Sequence, residues 1–351
     1  MRSIGRVAAV VGAMALALTA CSTSSGGTAA SGGSAPASGD AAASGEAPQS
    51  AVTDLSGDVP KGDGSKTIYL VSKGFQHRFW QAVKEGAEQA GAEYGYKIQF
   101  VGPADEQQVT EQMNQLTTAL GTNPAAIGFA ALDSGAAESI LKQVDAKGIP
   151  VIAFDSGVDS DIPVTTVSTD NYAAAQEAAK HMVELTGGKG TIALVCHDQT
   201  SATGKDRCKG FQDYMKENAP DMKVLDPQYA GEVGKAADTT KSILQANSDV
   251  VGVYGSNEAS ATGAIQGANE LGKSEVKVVG FDSGKTQIAA IKDGSQAGAI
   301  TQSPVKMGYL TVKAAIMAIN GQELPDRVDS GFAWYDKTNI DSEDIKANLY
   351  E

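Results

Sequence analysis

The chain has 351 residues, 42 acidic against 28 basic, for a formal charge of −14. A nucleic-acid partner would ask for clustered Lys and Arg, so that class is excluded. Beyond that, net charge reports on solubility rather than on fold.

In chain order the first feature is a leader. Arg2 and Arg6 give a basic start, Val7 to Ala20 is almost wholly apolar or small, and Leu18-Thr19-Ala20-Cys21 follows. The apolar core is short for a membrane span and reads as a secretory signal. The small residues before Cys21 resemble a bacterial lipobox, so residues 1–20 are expected to be cleaved and the Cys21 thiol to carry lipid. From residue 21 to 65 the sequence is Ser, Gly and Ala with few large apolar residues. Such a chain cannot bury enough surface to offset its ordering entropy, and a flexible tether is expected. Losing the leader removes two arginines and no acid, so the mature domain is more acidic still.

From Lys66 onward short β-branched runs alternate with segments rich in Ala, Glu, Lys, Gln and Leu. The runs are TIYLV (67–71), KIQFV (97–101), AAIGFA (125–130), IPVIAF (149–154), VTTVS (164–168), TIALVC (191–196), MKVLD (222–226), DVVGVYG (249–255), VKVVGF (276–281), AGAIT (297–301) and FAWY (332–335). Val83, Ala87 and Ala90 fall at helical spacing, as do Ala178, Met182 and Leu185. Strands alternating with helices predict an α/β fold with parallel sheets covered on both faces, and near-continuous apolar strands agree. The strands are too many for one sheet, so two doubly wound lobes are expected. DSGVDSDIP joins two strands with no helix between them, which places a crossing near Ser168. A second crossing falls near Thr301, and FAWY would return to the second lobe. The expected lobes are 66–168 with 303–331, and 169–302 with 332–351, joined by three crossings around a cleft.

Ligands of open parallel sheets bind beyond the carboxyl ends of the strands. Two strands end in the same way, PVIAFDSG (150–157) and KVVGFDSG (277–284), and their acids Asp155 and Asp282 would belong to opposite lobes. A carboxylate can take two neighbouring hydroxyls of one sugar; its other role is to cap a helix or anchor a turn. Asn257 also follows a strand end. Phe79-Trp80 could stack on the C–H face of a sugar ring or simply fill the core. Arg207, in GKDRCKGF, could fork two oxygens or sit in solvent.

Cys196 ends a strand and Cys208 opens a helix. Outside the cytoplasm they could pair, two buried thiols being the alternative and a catalytic cysteine beside His197 a poor third. GFDSGKT has one residue too few between its glycines for a phosphate loop. Three histidines without an HExxH give no zinc set, and no Gly-x-Ser-x-Gly elbow is present. No metal or cofactor is expected.

Taken in order, SKGFQHRFWQAVKEGAE, IPVIAFDSG, TVSTDNYAAAQ, GKDRCKGF, YGSNEASATGA, VKVVGFDSG and ITQSP resemble the periplasmic sugar-binding proteins of the ribose-binding type, from about Lys66 to Ile340. The resemblance implies a hinged binder that serves an ABC-type importer and carries no enzymatic activity. It places cleft residues at His77, Phe79 and Trp80, then Asp155, Arg207 and Asn257, and finally Phe281, Asp282 and Gln302. In that picture Phe79, Trp80 and Phe281 enclose the sugar ring while the polar residues hold its hydroxyls. The family's Asp-Arg pair is Asp155-Ser156 here, and a polar contact falls on Ala130, so a relative of ribose is implied rather than ribose.

Two aspartates against one arginine, with His77 taken as neutral, suit a neutral monosaccharide or polyol better than an anion. The expected partners are that ligand, a permease and the membrane through a lipid anchor only, for a monomer on the outer face of the cytoplasmic membrane. Other readings of the same cleft are a ligand sensor signalling to a chemoreceptor or kinase, and a glycosidase using Asp155 and Asp282. A sugar-responsive repressor would need a helix-turn-helix where the leader and tether lie.

Overall fold

A computed structural model of the chain describes residues 53–75 and 77–350. The leader, the lipobox with Cys21, and most of the tether lie outside the described residues. Leu55, by contrast, is buried at 3% exposure in a core cluster with Ile68, Val83 and Ala87. The Gly62 and Gly64 N–H groups donate to the carbonyls of Tyr94 and Gly95. The packed chain therefore starts before Lys66, because one leucine in an otherwise polar segment found an apolar socket.

The first part of the chain alternates β1 (Thr67–Val71), α1 (Arg78–Tyr94), β2 (Lys97–Val101), α2 (Val109–Gly121), β3 (Ala126–Phe129), α3 (Glu138–Asp145), β4 (Val151–Phe154) and β5 (Thr165–Ser168). The second runs α4 (Asn171–Thr186), β6 (Thr191–Cys196), α5 (Ala202–Asn218), β7 (Lys223–Val224), β8 (Gln228–Tyr229), α6 (Val233–Ala246) and β9 (Val250–Gly255). It continues through α7 (Glu258–Glu270), β10 (Lys277–Phe281), α8 (Lys285–Asp293) and β11 (Gly298–Gln302). Then α9 (Pro304–Ile319), β12 (Arg327–Asp329), β13 (Phe332–Tyr335) and α10 (Glu343–Lys346) close the fold.

Two sheets result. The first has the order β12-β5-β4-β3-β1-β2, with every neighbouring pair parallel. The second has the order β13-β11-β10-β9-β6-β7, with β8 also on β6, and only β13 antiparallel. This is the two-lobed α/β architecture expected from the strand count. The chain crosses between sheets after β5, after β11, and between β12 and β13. The two elements that the apolar pattern missed, β8 and β12, have only two and three residues, too short to show a period.

Each sheet is covered on both faces. In the first lobe α1 and α9 pack together over one face; α2 and α3 cover the other. The α1–α9 approach is close enough that a Cβ on Gly86 would fall 1.8 Å from the Val305 carbonyl oxygen, and one on Gly308 would fall 1.9 Å from that of Val83. Only glycine at both places lets the backbones touch. In the second lobe α4 with α5 and α6 with α7 form the corresponding layers. The C-terminal end leaves its own lobe: the Tyr350 ring packs edge-on against Phe79 at 5.8 Å, while its hydroxyl accepts from Ser283 N.

Candidate functional site

Both FDSG turns put their aspartate at positive φ. Asp155 and Asp282 have φ values of +57° and +79°, the left-handed region that aspartate tolerates better than most residues. Each is held there by its own N–H, which donates to the next strand: Asp155 to Val167 O at 2.9 Å, Asp282 to Ile300 O at 2.7 Å. The left-handed turn swings each side chain off the end of its strand and into the space between the lobes.

That space is a narrow cavity lined by Lys73, His77, Phe79, Trp80, Glu106 and Asp155 from the first lobe. His197, Arg207, Asn257, Glu258, Asp282 and Gln302 line it from the second lobe and its hinge. Eight of the nine residues expected at the cleft are brought together. Phe281 is the exception. It is fully buried in the second lobe's core, and its ring carries the Arg207 guanidinium 3.7 Å above its centre. It supports the arginine and does not enclose the cavity, because inward and outward side chains alternate along β10.

Asp282 is held by the protein on both oxygens. The Glu258 N–H donates to Oδ2 at 3.0 Å and Gln302 Nε2 to Oδ1 at 2.6 Å. Arg207 Nη1 lies 3.8 Å from Oδ2. The arginine is itself fixed, Nε donating to Asn171 Oδ1 at 2.7 Å and Nη1 to the Ser256 carbonyl at 3.1 Å. Gln302 also accepts from Thr169 Oγ1 at 2.8 Å, and Thr169 lies 3.5 Å from Ser330 Oγ. The second-lobe acid is thus wired to residues at all three crossings. Asn257 caps α7, its Oδ1 accepting from Ser260 N.

Asp155 is different. It is 4% exposed, Lys73 Nζ lies 3.2 Å from its Oδ2, and that oxygen has no hydrogen-bond partner among the described residues. The ammonium is close enough to pair with that oxygen as a charge. Burial pushes the carboxyl pKa up, with Lys73 and Arg207 opposing.

Four lining residues went unread in the sequence: Lys73, Glu106, His197 and Glu258. All lie within a few residues of a strand or helix end, so the strand-end rule carried a signal for them. Glu106 Oε1 accepts from Trp80 Nε1 at 2.8 Å, fixing the indole. Glu258 Oε2 lies 3.7 Å from His77 Nδ1 across the cleft. Burial lowers the His77 pKa, but Glu258 and Glu106 outweigh it and hold the ring at about 9, so it is cationic. His197 is driven the other way, to about 4, first by burial and then by the Arg207 and Lys73 charges, so it is neutral. Its Nδ1 pairs with Ser256 Oγ at 2.7 Å. With four carboxylates facing Lys73, Arg207 and a cationic His77, the cavity retains a negative excess.

The lobes are closed on one another. Ser134 N donates to Thr200 O, Thr200 Oγ1 to Leu132 O, and Lys205 Nζ to Ser134 Oγ. Cys196 and Cys208 form a disulfide that ties the end of β6 to α5, next to Arg207. The pairing that the sequence left open is settled by a Cα–Cα distance of 5.9 Å.

Residues 68–323 match the family model described as a periplasmic binding protein domain. The ribose import binding protein of Bacillus subtilis (strain 168) is 25% identical over 280 residues, 77% of this chain and 88% of that one. An ABC transporter solute binding protein from Agrobacterium vitis, bound with alpha-D-tagatopyranose, superposes with a TM-score of 0.79 at 28% identity, covering 82% of this chain and 100% of that one. A carbohydrate transporter solute binding protein from Agrobacterium radiobacter, in complex with D-arabinose, gives a TM-score of 0.77 at 30% identity, covering 81% of this chain and 99% of that one.

Proposed function

The chain belongs to the periplasmic binding protein family, in its ribose-binding type, and from that premise we propose that it is the lipid-anchored, extracytoplasmic binding subunit of an ABC-type sugar importer. Its ligand in this reading is a neutral pentose, hexose or polyol, gripped by His77, Trp80, Asp155, Arg207, Asn257, Asp282 and Gln302 with Phe79 and handed on by the closed lobes.

One observation carries the reading: two left-handed aspartates, one from each lobe, face a single polar cavity with Phe79 and Trp80 at its wall. Hydroxyl groups donate to carboxylates, and aromatic faces cover the C–H faces of sugars. A ligand touching both lobes favours the closed form by its differential affinity, which is the way a hinged binder is driven shut. The cavity's negative excess opposes phosphate or carboxylate ligands. The anchor rests on Cys21 and the basic and apolar leader before it.

A thermal-shift panel of pentoses, hexoses, inositols and alditols tests the ligand class, because a ligand that binds only the folded state raises its melting temperature. A strong shift with one neutral member is expected. Shifts only with sugar phosphates or sugar acids would overturn the class. Cys21→Ser should move the protein from the membrane fraction to the soluble one; unchanged partition would remove the anchor.

A further inference from the structure

The least ordinary side chain in the cleft is Lys73, an ammonium group with only 4% of its residue exposed. A buried cation is retained only where it is paired and bonded. Lys73 has both: Asp155 Oδ2 at 3.2 Å in its own lobe, and Thr203 Oγ1 at 3.0 Å in the other. An ammonium carries three donors. One serves Thr203, and the group lines the same cavity as Asp155.

Its backbone is set with equal care. Ser72 N donates to Val101 O, and Ser72 Oγ lies 3.1 Å from both the Gly74 and Val101 carbonyls. The Ser72 carbonyl in turn accepts from the buried amide of Gln112, which also accepts from Leu132 N. On the far side, Thr203 Oγ1 lies 3.1 Å from Ser201 Oγ and 3.4 Å from His197 Nε2, so the acceptor is positioned as well. Ser156, next to Asp155, is small enough that its Oγ lies 3.5 Å from Thr203 N. A long side chain at that place would fill the gap that Lys73 and Thr203 bridge.

We propose that Lys73 is a specificity- and closure-determining residue. Its ammonium donates to a ligand oxygen beside Asp155, and its bond to Thr203 latches the two lobes around that oxygen. The assignment rests on the sugar-binding reading of the cleft. An ammonium is a compact point donor, unlike the planar fork of a guanidinium, so it selects a single oxygen next to the one held by Asp155. The surrounding charges support the arrangement. Burial disfavours the ammonium, but Asp155, Glu106 and Asp198 together outweigh burial and the nearby Arg207, keeping it protonated.

Titration calorimetry and stopped-flow kinetics on the full chain test both roles, using whichever of D-arabinose, D-tagatose, D-fucose and D-ribose wild-type binds most tightly. Lys73→Met keeps the aliphatic stem, and affinity should fall about 100-fold, the scale of a lost charged hydrogen bond. Thr203→Val removes only the latch. It should weaken binding about three- to tenfold, through faster dissociation with unchanged association. In the ligand-free protein, spin labels on Lys142 and Lys235 should then report a longer distance between the lobes. A Lys73→Met protein that melts cooperatively and binds within about threefold of wild-type overturns the ligand contact. A Thr203→Val protein with wild-type dissociation rate and label distance overturns the latch. If none of the four binds wild-type, the strongest hit of the thermal-shift panel takes their place; if no panel member binds, the sugar reading fails, and the ligand-free distances still decide the latch.

Discussion

The two FDSG turns share a sequence and a left-handed aspartate, and yet their carboxylates stand in opposite conditions. Asp282 is held: each oxygen accepts one bond from the protein, leaving its remaining lone pairs for a ligand, and its bonds run to the hinge through Gln302 and Thr169. Asp155 has an ion-pair partner, and its Oδ2 has no hydrogen bond from the described residues. The glycines that end the turns differ as well. A Cβ at Gly284 would fall 1.9 Å from Glu258 Oε1, whereas at Gly157 nothing lies within 4 Å. An identical motif can thus be a hinge sensor in one lobe and an open acceptor in the other. The difference comes from neighbours supplied by distant parts of the chain.

The largest effect is expected at Asp155. Asp155→Asn should lower sugar affinity by about 100-fold or more, because it removes a charged acceptor and strands the Lys73 ammonium. It should also lower the melting temperature; calorimetry and a thermal melt read the two. Unchanged affinity would end the contrast, by showing that the open acceptor is not used. Asp282→Asn comes next, at about 10- to 100-fold. Its amide would meet the Glu258 N–H or abandon Gln302, so part of that loss should appear as a slower closing rate, which stopped-flow fluorescence of Trp80 can follow.

A smaller effect concerns protons. The about 9 of His77 belongs to the closed arrangement, where Glu258 and Asp282 of the other lobe add to Glu106 of its own; opening removes the first two and lowers the ring's pKa toward its usual 6.5. Closure therefore takes up a proton. Its contribution is complete below about 6.5 and is lost as pH rises through about 9. Affinity should fall by about tenfold or less over that window, since the pair is partly exposed and solvent screens it. His77→Gln should flatten the profile; an unchanged profile would remove the ion pair from closure.

The smallest effect sharpens the glycine contrast. Gly284→Ala should displace Glu258 and lower stability by about 1–3 kcal/mol. Gly157→Ala should stay within about 0.5 kcal/mol of wild-type. Denaturant melts of the two variants give the comparison directly, and equal losses would refute it.

The alternation of apolar runs and helical segments was enough to fix the two parallel sheets, because strands buried on both faces must be apolar along their whole length. Strand ends located Asp155, Asp282 and Asn257 as well, since a parallel sheet collects its loops at one edge. Lys73, Glu106, His197 and Glu258 share those ends, but a charged loop residue looks the same in sequence whether solvent or the opposite lobe covers it. Phe281 was misplaced for a related reason: it is the last residue of β10 and its ring turns into the layer of α4 and α5, while the cleft begins one residue later at Asp282. Leu55 and Tyr350, single large residues near the limits of the described chain, carry no period to read. Local pattern determined the layers and the positions of the strand ends. Only tertiary packing decided which oxygens the protein itself satisfies, because hydrogen-bond donors such as Gln302 and the Glu258 N–H reach Asp282 from elements far away in the chain.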